Sequence, residues 1–344
     1  MTGPLRLATY NVEWMNALFD NAGRLLLDRE PSARYKVTRA EQLEALAVVF
    51  TALDFDGVMI IEAPDTSHKR STVTALQNFA RHFGLRTRKA LIGFASHTEQ
   101  EIAFLYDPDR LTAAHDPRGP PAPARGATGA PRFDTGLRYD FNDDGEDELI
   151  TVSKPPLELA VQADGRHLRL IGVHAKSKAP HGRVSPEEFR RISIENRRKQ
   201  LAECHWLRLR TEEHLAAGES LMVMGDFNDG PGIDQYERSF GKSGVEVVLG
   251  ATEPAALRMT DPHARMVLTQ AIGLHPTTAR FWLAPRKVYF EALLDFIMVS
   301  PDLAATSPTW RIWHPFNDPK IVQVPELRDA ILTASDHFPV TLDL

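Results

Sequence analysis

Several short apolar runs in this chain end abruptly on an acid, an amide or a histidine. Six such signatures lie between Asn11 and His337: Thr9-Tyr10-Asn11-Val12-Glu13, Ile60-Ile61-Glu62, Gly172-Val173-His174-Ala175-Lys176-Ser177-Lys178, Gly225-Asp226-Phe227-Asn228-Asp229, Leu293-Leu294-Asp295-Phe296-Ile297 and Ser335-Asp336-His337-Phe338. Bare carboxylates are costly among buried strands. Polar strand ends drawn from the whole length of the chain therefore suggest one shared polar site, with a metal to balance the charge.

The apolar runs read as strands near 5–10, 57–61, 101–106, 157–162, 168–173, 221–224, 293–300 and 338–342. The run at 57–61 is continuous, as in a strand buried on both faces. Thr38-Arg39-Ala40-Glu41 is a capping box, and the helix it opens carries Leu43, Leu46, Ala47 and Phe50 on one stripe to about Leu53. A second helix spans 71–83, with Val73, Leu76, Phe79 and Ala80 together. Ser185-Pro186-Glu187-Glu188 opens a third, long helix that stops at Gly218. Residues 115–136 are rich in Pro, Gly, Ala and Arg and read as a flexible surface loop. Strands alternate with helices early and come in pairs later, which predicts an α/β fold of mixed sheets packed together with helices outside. The signatures span nearly the whole length, so a boundary would cut the site in half; one domain over 1–344 is expected.

Of the 344 residues, 43% are hydrophobic, enough for a large core, and the net charge of −6 gives no global basic field for nucleic acid. A local basic groove remains open. The single cysteine, Cys204, excludes an internal disulfide framework and reads as a packed thiol. No apolar stretch approaches the roughly 18 residues of a membrane span. The chain enters its first strand almost at once, without a signal peptide, so a cytoplasmic location is the expectation. No protein partner follows from the sequence.

Each signature has a chemical and a structural reading. Asp226 and Asn228, two apart, face one side if the backbone is extended, which suits a phosphate and its proton traffic; the alternative is an ordinary Gly-Asp-Asn turn. Asp336 and His337 suit a metal and a phosphate, or a capping turn before an edge strand. Asp295 sits among apolar neighbours and needs a partner; His337 is the one chosen here, an arginine the alternative. Glu62 reads as a hard-metal ligand or a solvated strand end. Asn11 holds a phosphate or a metal-bound water, or begins a turn; Glu13 is expected at the surface. His174, Lys176 and Lys178 alternate and form an anion cradle if the chain stays extended. Asp140-x-Asn142-x-Asp144-Gly145 has the start of a calcium loop, with Glu148 in a later ligand slot but Thr151 where the final glutamate belongs; a polar turn is the favoured alternative. Arg190, Arg191, Arg197, Arg198 and Lys199 read mostly as a solvated helix face.

Taken in order, the first six signatures resemble the endonuclease/exonuclease/phosphatase superfamily of metal-dependent hydrolases over about residues 5 to 343. The resemblance implies a four-layer α/β sandwich: two mixed β-sheets face to face, helices on both outer sides, the site at one edge. It implies Glu62 and Asp336, with Asn11, as ligands of Mg²⁺ or Mn²⁺. It implies catalytic roles for His174, Asp226, Asn228, Asp295 and His337, with Asp295 supporting His337. Asn11, Lys176 and Lys178 would contact substrate. Ile61 stands where the family often has glutamine, and His174-Ala175-Lys176-Ser177 where it often has His-Leu-Lys-Ser. The implied reaction is phosphodiester hydrolysis by in-line water, activated by Asp226 or His337. DNA is the first expected substrate. A lipid headgroup or small phosphoester is the second, and a catalytically silent scaffold the third.

Overall fold

The computed structural model describes residues 3–96, 98–140, 145–179, 185–232, 241–269, 275–283 and 287–344. Two sheets dominate. The first is six-stranded, in the order β14 (Thr309–Ile312), β15 (Val340–Asp343), β1 (Arg6–Asn11), β2 (Gly57–Ala63), β4 (Glu101–Tyr106) and β3 (Lys89–Ile92). The second is five-stranded: β13 (Asp295–Val299), β10 (Leu221–Asp226), β9 (Arg166–His174), β8 (Leu157–Ala163) and β5 (Leu111–His115). Two small hairpins, β6 (Leu137–Tyr139) with β7 (Glu148–Ile150) and β11 (Ala279–Leu283) with β12 (Val288–Ala292), stand apart.

Strand alternation builds four layers. Met59 and Ile61 of β2 meet Met222 and Met224 of β10 in a core between the sheets, while Val58 and Ile60 face a second core. That second core is covered by the helices α1 (Arg39–Leu53), α2 (Thr72–His82) and, later in the chain, Pro325–Ala334. Leu221 and Val223 point the other way, toward α3 (Pro186–Ala216), with its buried Trp206 and Leu207. Continuous apolar runs are thus explained by burial on both faces. The expected four-layer sandwich is what the chain forms.

The helices begin where their caps predict. Thr38 and Ser185 each close a capping box, with Glu41 and Glu188. In α2, Val73 is only half-buried, and Ala75 lies in the core with Leu76, Phe79 and Ala80. Arg197 departs from the solvated face expected of it. It is 3% exposed and bonds Asp229 Oδ1 at 3.0 Å.

The Pro/Gly-rich segment lacks regular structure after β5, as expected, but it is pinned to α3. Trp206 Nε1 donates to the Pro131 carbonyl at 3.2 Å, and Phe133 is buried beneath. Arg210, fully buried, donates to the carbonyls of Ala130 and Pro131 at 2.8 Å each. Its Nε lies 3.0 Å from Glu158 Oε1, on the helix-facing side of β8. A buried pair of this kind contributes little net stability, but losing one member leaves the other uncompensated. Arg210→Met is expected to lower the unfolding free energy by about 3–5 kcal/mol in urea, and adding Glu158→Gln should restore much of it. A loss below about 1 kcal/mol for the single change contradicts this role.

Candidate active site

Strand direction brings the polar signatures together. β1 and β2 run parallel, so Asn11 and the Glu62 end of β2 emerge at the same edge. β9 and β10 are also parallel, with Asp226 in register with His174. β13 is antiparallel to β10 and starts at that edge, where Asp295 pairs with Asp226. β15 is antiparallel to β1, which delivers His337, three residues before it, to the same place.

Local backbone then aims each side chain. Glu62 lies at an irregularity between Ile61 and Ala63, with φ +64°, and Oε2 accepts the Trp14 N–H at 2.8 Å. Such a conformation is strained for a residue with a Cβ and is held by its surroundings. β10 extends past the 221–224 run read from sequence, through Gly225 to Asp226. A Cβ there would lie 2.0 Å from the Val173 carbonyl oxygen, so only glycine lets β9 come this close. Asp226 and Asn228 do meet, though by a turn rather than by extended alternation. Asn228 has φ +49°; its N–H donates to Asp226 Oδ1 at 2.7 Å and its amide to Oδ2 at 3.3 Å.

Asn11 Nδ2 donates to Asp226 Oδ2 at 3.0 Å and sits 3.5 Å from Glu62 Oε1. His174 Nε2 lies 3.9 Å from Glu62 Oε1 and 3.8 Å from Asp226 Oδ2. Asp295 Oδ2 is 2.8 Å from His337 Nδ1, the pairing expected from sequence, and His337 Nε2 is 3.9 Å from Asp226 Oδ2. Asp336 Oδ1 stands 4.0 Å from His337 Nε2. A pocket of about 330 Å³ is lined by Glu62, His174, Lys176, Asp226, Asn228, Asp336 and His337, with Asn11 and Asp295 bonded behind them.

Lys178 does not line this pocket. The strand ends at His174, the alternation stops there, and the Lys178 ammonium pairs with Asp229 Oδ1 at 2.8 Å. Glu13 is not a surface group either: Oε2 accepts the Asp336 N–H at 2.9 Å and pairs with Arg34, fixing the turn that carries His337. Sequence reasoning also missed Lys154, Trp14 and Phe281, which line the pocket. The Phe281 ring meets the His337 ring edge-on at 5.7 Å. Lys154 stands in a Ser-Lys-Pro-Pro run before β8, which carries no recognisable signal. In the possible calcium loop, Asn142 and Asp144 lie outside the described residues; Asp140 accepts the Gly145 N–H.

Burial sets the charges. It pushes the Asp226 carboxyl up to about 6, with Asp295 adding to the effect and His337 opposing it. It also raises Glu62, against the Trp14 N–H. For His337 burial acts downward, but the carboxylates of Asp295 and Asp226 outweigh it and lift the imidazole to about 10. His174 is held well below the ordinary histidine value, first by burial, then by Lys154 and His337. Near neutral pH one imidazole is thus charged and the other neutral.

The donor set suits a hard divalent cation. Glu62 is a largely buried carboxylate with no lysine or arginine in salt-bridge contact among the described residues, and carboxylate oxygens are the ligands such ions take. Among the described residues, Asp226, Asp295 and His337 form an acid–histidine group with ligand atoms within 4.8 Å of one another. The Asp295–His337 hydrogen bond already occupies two of those atoms, so Glu62 and Asp336 are the freer oxygen donors.

Residues 9–337 match the sequence profile described as the Endonuclease/Exonuclease/phosphatase family. The chain belongs to that family. No curated protein matches the sequence. Among solved structures, the chain is similar to D. rerio TDP2 complexed with single strand DNA product (11% identity, 99% of this chain and 98% of that one, TM-score 0.50). It is similar also to the 3′ phosphatase NExo from Neisseria bound to a product DNA hairpin (17%, 99% and 99%, 0.50) and to SmcL (14%, 99% and 99%, 0.50). At these identities the likeness is one of fold. No helix among the described residues is long and apolar enough to cross a membrane.

The raised His337 value has a consequence for stability. A histidine whose folded value exceeds its unfolded one binds its proton more tightly when folded. Its contribution is full below about pH 6.5 and is lost as pH climbs through about 10. In metal-free buffer the difference in urea midpoint between the wild type and His337→Asn should therefore shrink between pH 7 and pH 10.5. A difference that grows with pH contradicts the assignment.

Proposed function

We propose that this chain is a metal-dependent phosphodiester hydrolase and that DNA is its substrate. The observation that carries the reading is the charged His337, held by Asp295 and facing Asp226 across 3.9 Å, in one pocket with Glu62 and Asp336. Asp226, with its carboxyl near 6, is ionised at neutral pH and accepts a proton from the attacking water. His337 is already protonated there, so it serves as a fixed positive charge toward the phosphate rather than as the base. Asn228 fixes the Asp226 carboxylate, and neutral His174 offers a hydrogen bond to a phosphate oxygen. Lys154, largely buried, and Lys176 supply cationic charge in the same pocket. Mg²⁺ or Mn²⁺ bound by Glu62 and Asp336, with Asn11 beside them, would neutralise phosphate charge and stabilise the leaving oxygen.

The net charge of −6 favours a second reading, a small phosphoester or lipid headgroup as substrate. Salt separates the two, because binding a polyanion releases counterions and weakens steeply with salt. A silent scaffold has no need of this protonation pattern.

Turnover of bis-p-nitrophenyl phosphate should vanish in EDTA and return with Mg²⁺ or Mn²⁺. Asp226→Ala and His337→Ala should each lower kcat by about 10²–10⁴. EDTA-resistant turnover, or folded variants near the wild-type rate, would overturn the proposal. Cleavage of plasmid DNA that falls steeply with salt supports DNA; a flat response supports the small ester.

A further inference from the structure

A cleft of about 920 Å³ opens beside the catalytic pocket and shares Ser153 and Lys176 with it. Its volume falls at the upper end of the range that small-molecule sites occupy, about 300–1,000 Å³. One wall is apolar: Phe94, Ile150, Val152 and Ala202. Its cations are not arranged to follow a phosphate backbone. Arg198 is paired with Glu148, and Lys199 with Glu195 at 2.9 Å. Where the two cavities meet, Glu203 Oε2 accepts the Lys176 N–H at 2.8 Å. Burial, opposed by that N–H, lifts the Glu203 carboxyl to about 7. An apolar wall with a few hydrogen-bonding groups and balanced charge suits a flat, uncharged, polar-edged group attached to the scissile phosphate.

We propose that this cleft receives one nucleoside, so that the site takes a nucleoside phosphate whose phosphate enters the catalytic pocket past Ser153 and Lys176. The inference rests on the phosphoesterase reading above. It gives the substrate a recognised organic part in addition to the phosphate. Two sources supply that chemistry: a free nucleotide ester, or an unpaired nucleoside at the end of a strand.

Two variants fill the cleft without touching the catalytic groups. Thr151→Trp places a large ring at an exposed position on its lining, and Ala202→Phe adds one from a buried position on α3. Folding is checked by urea midpoint. In EDTA, where no turnover occurs, wild type should bind thymidine 5′-monophosphate about tenfold or more tighter than inorganic phosphate, by calorimetry. Both variants should lose that advantage and keep their phosphate affinity. With Mg²⁺, KM for thymidine 5′-(p-nitrophenyl phosphate) should rise about tenfold at little-changed kcat, while bis-p-nitrophenyl phosphate is turned over as before. If cleavage of an oligonucleotide with an unpaired end falls in parallel, the strand end is the source; if it does not, the free ester is. Thymidine monophosphate bound no tighter than phosphate, or variants that weaken both ligands equally, overturn the proposal. Nucleotide binding without any hydrolysis of bis-p-nitrophenyl phosphate would overturn the hydrolase reading alone.

Discussion

The structure turns on the register pairing of Asp226 with Asp295 at one end of the second sheet. Two carboxylates on neighbouring strands, both nearly inaccessible to water, repel each other and are poorly solvated. His337 resolves the conflict. It arrives from beyond the first sheet, binds Asp295 at 2.8 Å and lies within 4 Å of Asp226, carrying the compensating charge. The two sheets are therefore joined by packing between them and also by an electrostatic clasp at their shared edge. The strain at Glu62 and the close approach at Gly225 belong to the same arrangement, since both bring side chains to that edge. Backbone conformations that cost free energy are kept where function uses the resulting geometry.

Much of this was legible in the chain because strand ends are local features. An apolar run that stops on a carboxylate reports both a buried strand and a place where charge is tolerated, as at Glu62. The Asp295–His337 contact was readable for a different reason. A carboxylate flanked by Leu294 and Phe296 must find a partner, and few candidates exist. What was not legible depends on where the chain turns. The His174–Lys176–Lys178 alternation presumed an extended backbone. The strand stops at His174, and Lys178 is captured by Asp229, itself fully buried and also held by Arg197. Glu13 likewise looked like a surface residue, because its partner Arg34 and the Asp336 N–H come from distant segments.

The Pro/Gly-rich segment and the long helix show the same limit from the stability side. Composition excluded regular structure from 115–136, which holds except for His115 at the end of β5, yet said nothing of Trp206 and Arg210 reaching across to hold the segment. Arg210 is a charge in a helix otherwise expected to turn its arginines outward, and its partner Glu158 faces outward from β8 into the helix layer. Such pairs are set by tertiary packing, which local patterns do not encode. The anchoring places Asp134 and Thr135 at the wall of the cleft beside the pocket of Asp226 and His337.

Crystals soaked in Mn²⁺ test the central claim most directly, because the anomalous signal locates the ion without reference to activity. A peak in bonding contact with the carboxylates of Glu62 and Asp336, next to the His337–Asp295 pair, is the result the account predicts. Those carboxylates on different faces of the protein, or an ion held elsewhere with this edge left bare, would contradict it.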